Sequence, residues 1–258
     1  RVFFSFCIQL LRSLILRSCN AYWVPGFASS CYLESIGIRP SRVAHGSYCL
    51  DVETLSSTIK EMRENRHVLR NNLGIRPAAR VVLAVGKMTA FRKYNTLITA
   101  WAGLHTTSDA LLLFIGDGPL YEDLALLVKK LELPNVMFAG ACSTDELPKY
   151  YALSDAFIHP GLEPYSTALE IAAIAGLPIL ANTEVGYVKE LLERGASPLL
   201  FAPNSLDDLT NKLDILISDS YQSASPGLAL AKVANKRTPD WAANEIETLV
   251  LDLSATKT

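Results

Sequence analysis

Runs of hydrophobic residues alternate with amphipathic stretches along most of the chain. The run 81–85 is apolar at every position, as is typical of a strand buried on both faces. Further runs of strand length lie at 111–115, 136–138, 156–158, 179–180 and 199–201. Segments with helical periodicity lie between or after them, at 95–103, 121–131, 145–153, 169–175, 188–192 and 206–217. This alternation predicts an α/β fold with a doubly wound parallel sheet and right-handed crossovers.

The beginning of the chain shows a shorter version of the same pattern. Helices are predicted at 1–18 and 29–36, and short strands at 21–24 and 43–44. These elements form a partial β/α remnant that is too small for an independent core.

Charge and composition divide the rest of the chain. Residues 51–79 are polar and charged, and we interpret them as a surface helix followed by a linker. After residue 218 the pattern is less regular, with a predicted break at 223–227 and a final amphipathic helix at 241–251. We therefore predict a remnant of an amino-terminal lobe at 1–50, a hinge or linker at 51–79, a ligand-binding domain at 80–235, and a carboxy-terminal helix at 236–258 that packs back toward the amino-terminal lobe.

The apolar segment 2–16 raises the question of a signal peptide or a membrane anchor. It is shorter than the ~20 apolar residues that span a bilayer, and arginines interrupt or bound it. It also lacks the charged start and the small-residue cleavage site of a signal peptide. Ser5, Gln9 and Arg12 lie on one helical stripe, so we interpret 1–18 as a mostly buried helix with one wet edge.

Composition and charge narrow the class of protein. The chain has 258 residues, of which 50% are hydrophobic and 19% charged, so a sizeable core is expected rather than disorder. The net charge of −2 argues against a general nucleic-acid binder. Five cysteines without a C-x-x-C pair favour reduced, mostly buried thiols in a cytosolic protein over a zinc site. Because the chain begins at Arg1, we treat it as processed or as a piece of a longer protein.

The loop after the first buried strand combines a glycine with three cations. Gly86 allows a sharp turn, and Lys87, Arg92 and Lys93 bring positive charge to the same strand end. A diphosphate requires such charge, and an arginine can grip it at two points. Taken alone, this loop also fits a solvated basic surface.

A second loop, Gly116-Asp117-Gly118-Pro119, follows the next strand. Glycines there allow a ligand to approach the backbone closely, whereas Asp117 is as well explained as a helix cap. The chain has no G-x-G-x-x-G at this place, which weakens a nicotinamide or flavin dinucleotide interpretation.

The third loop follows the run 156–158 and holds a carboxylate. Glu163 can accept hydrogen bonds from ligand hydroxyls, and Ser166 and Thr167 open a helix whose free N–H groups favour anions. Glu170 lies near the same helix end, where a negative charge is favourable without any ligand. His159 precedes the loop and taken alone is interpreted as a structural histidine.

Together these motifs resemble the carboxy-terminal, donor-binding domain of retaining GT-B glycosyltransferases of the family-four type. That family shows Gly-Arg-x4-Lys after its first strand, and Gly86, Lys87 and Arg92 fill those places. Further segments resemble family motifs in the same order, at 116–119, 138–141, 161–166 and 185–191. The resemblance implies a Rossmann-like GT-B carboxy-terminal lobe, plus a partial amino-terminal β/α remnant.

The resemblance also implies roles for individual residues. Lys87, Arg92 and Glu163 are the implied catalytic residues: the two cations hold the departing diphosphate and the carboxylate orients sugar hydroxyls. Glu170 would contact the ribose. The implied donor-binding or nucleotide-binding residues are Gly86, Lys87, Arg92, Gly116, Ala141, Glu163, Tyr165, Ser166, Thr167 and Glu170. No metal and no cofactor is expected, and the nucleoside-diphosphate sugar is a substrate.

The chain departs from the family pattern around its two glutamates. The family places seven residues between them, whereas Glu163 and Glu170 are separated by six. Counting back from the Gly-x-Pro that ends the helix puts Ile171 in the second position. One residue turns a helical side chain by about 100°, so the two alignments differ chemically. Lys87 also replaces the family's arginine and lacks its bidentate fork, and Ser166 replaces a glycine.

From this resemblance we expect the donor-binding half of a metal-independent, anomer-retaining glycosyltransferase. The donor would be a nucleoside-diphosphate sugar and the acceptor an unidentified glycan, lipid or small molecule, with no nucleic acid involved. We expect a cytoplasmic protein and leave open a peripheral association with the inner face of a membrane. Two alternatives remain, a catalytically inactive nucleotide-binding or scaffold protein of the same fold and a GT-B sugar-nucleotide epimerase.

Most of the acceptor lobe of that family is not in this chain. The chain should therefore bind nucleotide weakly at most, because half of the cleft is missing. We also expect exposed apolar surface on helix 1–18 and on the helix that contains Trp241. Such surface would dock the missing lobe or cause self-association.

Overall fold

The computed structural model describes residues 2–104, 109–223 and 225–255. In these ranges the strands are β1 (Tyr22–Val24), β2 (Val43–His45), β3 (Arg80–Val85), β4 (Ala110–Ile115), β5 (Val136–Phe138), β6 (Ala156–His159), β7 (Ile179–Asn182) and β8 (Leu199–Phe201). The helices are α1 (Val2–Ser18), α2 (Phe27–Ser35), α3 (Val52–Glu64), α4 (Arg66–Asn72), α5 (Tyr94–Ala102), α6 (Tyr121–Lys130), α7 (Leu147–Leu153), α8 (Thr167–Ile174), α9 (Gly186–Glu193), α10 (Leu206–Ile217), α11 (Asp219–Ser223), α12 (Gly227–Ala234) and α13 (Pro239–Ala255). The chain divides into two compact units, Arg1–Leu50 with Arg237–Thr258, and Asp51–Lys236.

The second unit is built on one parallel sheet. The strand order among the described residues is β5-β4-β3-β6-β7-β8, and every neighbouring pair is parallel. The chain runs outward from β3 to β5, then crosses to the other side of β3 and continues to β8. This confirms the doubly wound parallel sheet predicted from the sequence. The order reverses between β3 and β6, and open α/β sheets bind ligands at such a reversal.

The core of this unit explains why β3 is uninterruptedly apolar. Residues 81–84 have no exposed surface, because helices cover both faces of the strand. Trp101 of α5 and Phe114 of β4 are likewise fully buried in the main hydrophobic cluster. Burial of side chains of this size stabilises the fold by about 1.5–3 kcal/mol each. A rigid sheet therefore holds the loops that leave its carboxyl edge.

Several predicted boundaries change by a few residues. The strand predicted at 156–158 extends to His159, and the strand predicted at 179–180 extends to Asn182. The predicted break at 223–227 lies between α11 and α12, and α12 itself was not predicted. In the two strands, pairing with a neighbouring strand extends the structure beyond the apolar run.

Residues 51–79 belong to the second unit and do not form a linker. Arg70 of α4 is 5% exposed, and its Nη2 lies 2.7 Å from Oδ2 of Asp155. Its Nε donates a hydrogen bond to the carbonyl of Leu153, and Asp155 also accepts one from the N–H of Val81. An arginine of this charged stretch is therefore buried and is linked through Asp155 to the starts of β3 and β6. The distribution of charge along the sequence does not reveal this contact.

The first unit combines both ends of the chain. β1 and β2 pair in parallel, and α13 packs against β2. Arg237 is 1% exposed, donates a hydrogen bond to the carbonyl of Pro25 and stacks its guanidinium 4.8 Å from the ring centroid of Trp241. A Cβ on Gly46 would lie 2.8 Å from Cβ of Ala242, so the glycine permits this close packing.

The second half of α1 has the exposed apolar surface that was expected on helix 1–18, but it is not mostly buried. In this half of α1, four apolar side chains have more than half of their surface exposed: Leu10, Leu11, Leu14 and Ile15. The interpretation of 1–18 as a mostly buried helix is therefore wrong for this half, while the side chains of residues 1–9, including Ser5 and Gln9, lie outside the described residues. No helix in the described ranges combines the length and the apolar character that crossing a bilayer requires.

The cysteines are also less buried than predicted. Cys19 and Cys31 are exposed, and Cys49 and Cys142 are partly exposed. The side chain of Cys7 lies outside the described residues. The expectation of mostly buried thiols is wrong for these four, because they lie on loops and helix faces rather than in the apolar runs.

Candidate functional site

Three loops meet where the strand order reverses. They follow β3, β4 and β6, at 86–93, 116–120 and 160–166, and so leave the same edge of the sheet. The carboxyl ends of parallel strands share one edge, which is why motifs far apart in the sequence converge here.

Glycines let the first two loops pack backbone against backbone. The N–H of Gly86 donates to the carbonyl of Ile115 at 2.9 Å, and the N–H of Gly116 donates to the carbonyl of Gly140 at 2.8 Å. A Cβ on Gly116 would lie 2.2 Å from the carbonyl oxygen of Gly86, closer than any side chain can approach. Both glycines have positive φ, 146° for Gly86 and 138° for Gly116. The two loops therefore form a rigid floor with exposed main chain.

An ion pair joins the first loop to the third. Nη1 of Arg92 lies 2.8 Å from Oε1 of Glu163, and both side chains are 15% exposed. Gly161 permits this approach, since a Cβ there would lie 2.9 Å from the carbonyl oxygen of Phe91. The Arg92 guanidinium also covers Gly86, where a Cβ would lie 2.9 Å from Cζ. Arg92 and Glu163 are thus brought together across the reversal point.

His159 extends this pair into the sheet. Its Nε2 lies 3.1 Å from the same Oε1 of Glu163, and the side chain is 1% exposed. Burial lowers the pKa of His159, against the opposing effect of Glu163. For Glu163, burial raises the pKa, but contacts with His159, a hydrogen bond from Ser166 and the charge of Arg92 outweigh burial and lower it. The carboxylate is therefore ionised at neutral pH.

An open cleft of about 410 Å³ lies beside the ion pair. The cleft is lined by residues that follow β3, β4 and β5. They include Gly86, Lys87, Gly116, Asp117, Ala141 and Cys142. Lys87 is exposed, and its side chain borders the cleft. Four of the sequence-predicted residues, Gly86, Lys87, Gly116 and Ala141, therefore share one cleft, with Arg92 packed against its glycine floor.

The predicted residues at the start of α8 lie in different environments. Ser166 caps the helix, where its Oγ accepts a hydrogen bond from the N–H of Leu169, and Thr167 is exposed. Glu170 has no exposed surface, and its Oε2 accepts a 2.6 Å hydrogen bond from the hydroxyl of Tyr165. Ile171, the alternative second position, is 7% exposed. Glu170 is therefore buried and hydrogen-bonded to Tyr165, a contact that the sequence motif did not predict.

Tyr94 is a further residue of this region that the motifs did not identify. Its side chain is 3% exposed, and its hydroxyl has no partner among the described residues. A Cβ on Gly86 would lie 3.1 Å from that hydroxyl, which places it under the glycine loop beside Arg92. Burial raises the pKa of Tyr94, so the hydroxyl is neutral. The only sequence signal was an aromatic residue at the start of a buried helix.

Comparison with known families agrees with the architecture of this site. The model of the family described as glycosyl transferases group 1 matches residues 65–232, more than half of the chain. The match includes all three loops at the sheet edge.

Individual relatives match over part of their length. A GDP-mannose-dependent alpha-(1-6)-phosphatidylinositol monomannoside mannosyltransferase of Mycobacterium tuberculosis is 28% identical over 170 residues, 62% of this chain and 43% of the relative. The sulfoquinovosyl transferase SQD2 of Arabidopsis thaliana is 29% identical over 171 residues, 65% of this chain and 32% of the relative. The chain therefore spans less than half of the length of these curated relatives.

Two of the solved structures that share this fold are a protein crystallised with UDP and glucose and a sucrose-phosphate synthase. Anabaena HepE, crystallised with UDP and glucose, has a TM-score of 0.75 at 21% identity and covers 96% of this chain and 66% of its own. Sucrose-phosphate synthase from Thermosynechococcus elongatus has a TM-score of 0.76 at 18% identity and covers 96% of this chain and 61% of its own. At these identities the likeness establishes the fold alone.

Proposed function

Because the chain belongs to the family of glycosyl transferases group 1, we propose that it is the donor-binding part of a glycosyltransferase that uses a nucleoside-diphosphate sugar. The protein transfers the sugar to a glycan, lipid or small-molecule acceptor. The bond between the anomeric carbon and the diphosphate oxygen breaks, the acceptor oxygen bonds to that carbon on the same face of the sugar, and the acceptor hydroxyl gives its proton to the departing diphosphate.

The observation that carries the proposal is the grouping of a cation-bordered cleft and an ion pair at one sheet edge. Lys87 borders the cleft, and Arg92 lies against its glycine floor. Their two positive charges offset the charge that builds on the diphosphate as it leaves, so no metal is required.

The two carboxylates bind opposite ends of the donor, Glu163 the transferred sugar and Glu170 the ribose. Glu163 is ionised and accepts hydrogen bonds from hydroxyls of the transferred sugar. The start of α8, with Ser166 and Thr167, faces the anionic centre of the donor. Glu170 reaches the ribose after the Tyr165 hydroxyl releases it.

Calorimetric titration with UDP and with GDP tests the proposal. We expect wild-type protein to bind one or both, and Lys87→Ala and Arg92→Ala to weaken binding about tenfold each, since each removes one charge-assisted contact. Lys129→Ala on α6 is the matched control, because it removes an exposed lysine that does not line the cleft and should leave affinity unchanged.

Two results would contradict the proposal. Wild-type protein that binds neither UDP nor GDP at millimolar concentration would contradict a donor that carries either nucleotide. Equal binding by wild type and the Arg92→Ala variant would remove the assigned role of Arg92. A radiolabelled transfer assay with UDP-glucose and GDP-mannose then identifies the sugar.

A further inference from the structure

We propose that His159 is a positioning residue that orients the Glu163 carboxylate for the donor sugar. The inference rests on the proposed function and concerns a side chain to which the sequence motifs assigned only a structural role. His159 does not touch the substrate in this account, because it is enclosed in the sheet.

The rigidity of His159 comes from its place in the sheet. It is the last residue of β6, and its backbone pairs with Ala181 of β7. The side chain is 1% exposed, so packing on all sides restricts the imidazole to one orientation. Glu163, by contrast, lies on the loop that follows and has three side-chain torsions to fix.

Two donors converge on one oxygen of Glu163. Nε2 of His159 approaches Oε1 from the strand at 3.1 Å, and Nη1 of Arg92 approaches the same atom from the β3 loop at 2.8 Å. The two contacts reach Oε1 from opposite sides of the reversal point, so together they restrict the position of this oxygen more than either contact alone. Nε2 is buried, and it makes no well-aligned hydrogen bond to Oε1 or to any other described residue, so the 3.1 Å separation is a close approach that a small rotation would turn into a hydrogen bond.

Charge favours histidine over a second cation in this position. Arg92 and Glu163 are the charged groups that face the imidazole, and burial among them lowers the pKa of His159. The ring is therefore neutral at neutral pH and donates through Nε2–H without adding charge. Glu163 then contacts a single cation, Arg92. Its negative charge is less fully neutralised than it would be by two cations, so the carboxylate remains a good acceptor for the sugar hydroxyls. Arg92 in turn would share its charge between Glu163 and the diphosphate.

The test compares His159→Gln with His159→Leu. Glutamine places an amide N–H donor at about the position of Nε2, while leucine fills a similar space without a donor. UDP and UDP-glucose, with GDP and GDP-mannose as the second pair, are titrated against each variant in the full chain. The diphosphate probes report on the cleft, and the sugar-bearing probes also report on Glu163.

We expect His159→Leu to weaken the binding of the sugar nucleotide about fivefold and to leave the affinity for the diphosphate unchanged. The ratio of the two dissociation constants therefore changes about fivefold. His159→Gln should restore most of the ratio. The positioning role would be overturned if wild type and His159→Leu had the same ratio of dissociation constants. This includes the case in which the variant loses the same fraction of its affinity for both ligands. Wild type that binds no probe would instead overturn the proposed function.

A measurement on wild-type protein covers the case in which His159→Leu fails to fold. The imidazole ¹⁵N chemical shifts distinguish the two neutral tautomers. We expect protonation at Nε2, with Nδ1 unprotonated, at pH 7.5. Protonation at Nδ1 would leave no donor toward Glu163 and would overturn the inference directly.

Discussion

At the scale of single residues, the loop after β3 contains a backbone conformation that the sequence does not suggest. Lys93 has a φ of 55°, in the left-handed region, at the junction between the turn Ala90–Arg92 and α5. A residue with a Cβ pays roughly 1–2 kcal/mol for this conformation relative to glycine. The position therefore stores strain beside the candidate site.

We predict that Lys93→Gly stabilises the fold by about 0.5–1 kcal/mol, because relief of the strain exceeds the extra chain entropy that glycine brings to the unfolded state. Urea denaturation followed by circular dichroism measures the change. Lys93→Ala is the control, since it removes the same charge but keeps the Cβ, and should give no gain. Equal stabilisation by both variants would attribute the effect to charge instead.

At the scale of elements, a buried ionic contact connects α4 to two strands. Asp155 accepts hydrogen bonds from Arg66, Arg70 and the N–H of Val81, each at 2.7 Å. Burial raises the pKa of Asp155, but the hydrogen bond from Arg66, the charges of Arg66 and Arg70 and the Val81 N–H outweigh burial and lower it. The carboxylate therefore ties residues 51–79 to the sheet.

We predict that Asp155→Ala destabilises the second unit by about 3 kcal/mol, because it leaves a largely buried arginine without its counter-charge. Asp109→Ala is the matched control: the Arg76–Asp109 pair is 64% and 65% exposed and should cost less than about 1 kcal/mol. Equal losses measured by urea denaturation at pH 7 would contradict this assignment.

The same contact predicts a direction of pH dependence. A carboxyl whose folded pKa lies below its unfolded value near 3.8 stabilises the fold above that value and loses the contribution as pH falls through the folded pKa. The difference between wild type and Asp155→Ala should therefore be constant from pH 7 to pH 5 and shrink below pH 4. A difference that persists unchanged at pH 3 would indicate packing rather than charge.

At the scale of the whole molecule, the two units differ in the size of the sheet and core that each contains. The second unit, Asp51–Lys236, contains the parallel sheet, its core and the candidate site. The first unit has a two-stranded sheet among the described residues, and two strands alone are marginal in water. Its helix α1 also exposes the apolar side chains Leu10, Leu11, Leu14 and Ile15.

We predict that a chain of residues 51–236 folds cooperatively and binds the same nucleotide as the full chain. It should remain monomeric in sedimentation velocity and bind less hydrophobic dye, whereas the full chain associates through apolar surface. The double variant Leu11→Glu/Leu14→Glu in the full chain is the matched control and should reduce association without removing nucleotide binding. An unfolded 51–236 chain would show that its core depends on the first unit.

The sequence predicted the sheet and the position of its loops, but not the contacts between them. Uninterrupted apolar runs such as 81–85 and amphipathic stretches such as 206–217 identified their elements, because each pattern is local. The family resemblance carried by the motifs is confirmed by the match over 65–232. The roles assigned to Lys87, Arg92 and Glu163 stay predictions.

Failures of prediction occurred where the outcome depends on residues distant in the sequence. Arg66 and Arg70 contact the carboxylate of Asp155, which immediately precedes β6, so a segment that resembled a linker belongs to the second unit. The hydrogen bond from the Tyr165 hydroxyl to the buried Glu170 was likewise not predicted, and the role of Glu170 toward a ligand stays a prediction. His159 was treated as structural, and only its 3.1 Å approach to Glu163 connects it to the site.

By itself the sequence determined the alternation of strand and helix, and hence a parallel sheet with its glycine and charged loops at one edge, because hydrophobic periodicity acts within each element. The pairing of charges across that edge and the burial of Glu170 became visible in the folded chain alone. Those outcomes depend on side chains from separate strands coming within about 3 Å of one another, a distance at which hydrogen bonds form and which local sequence does not encode.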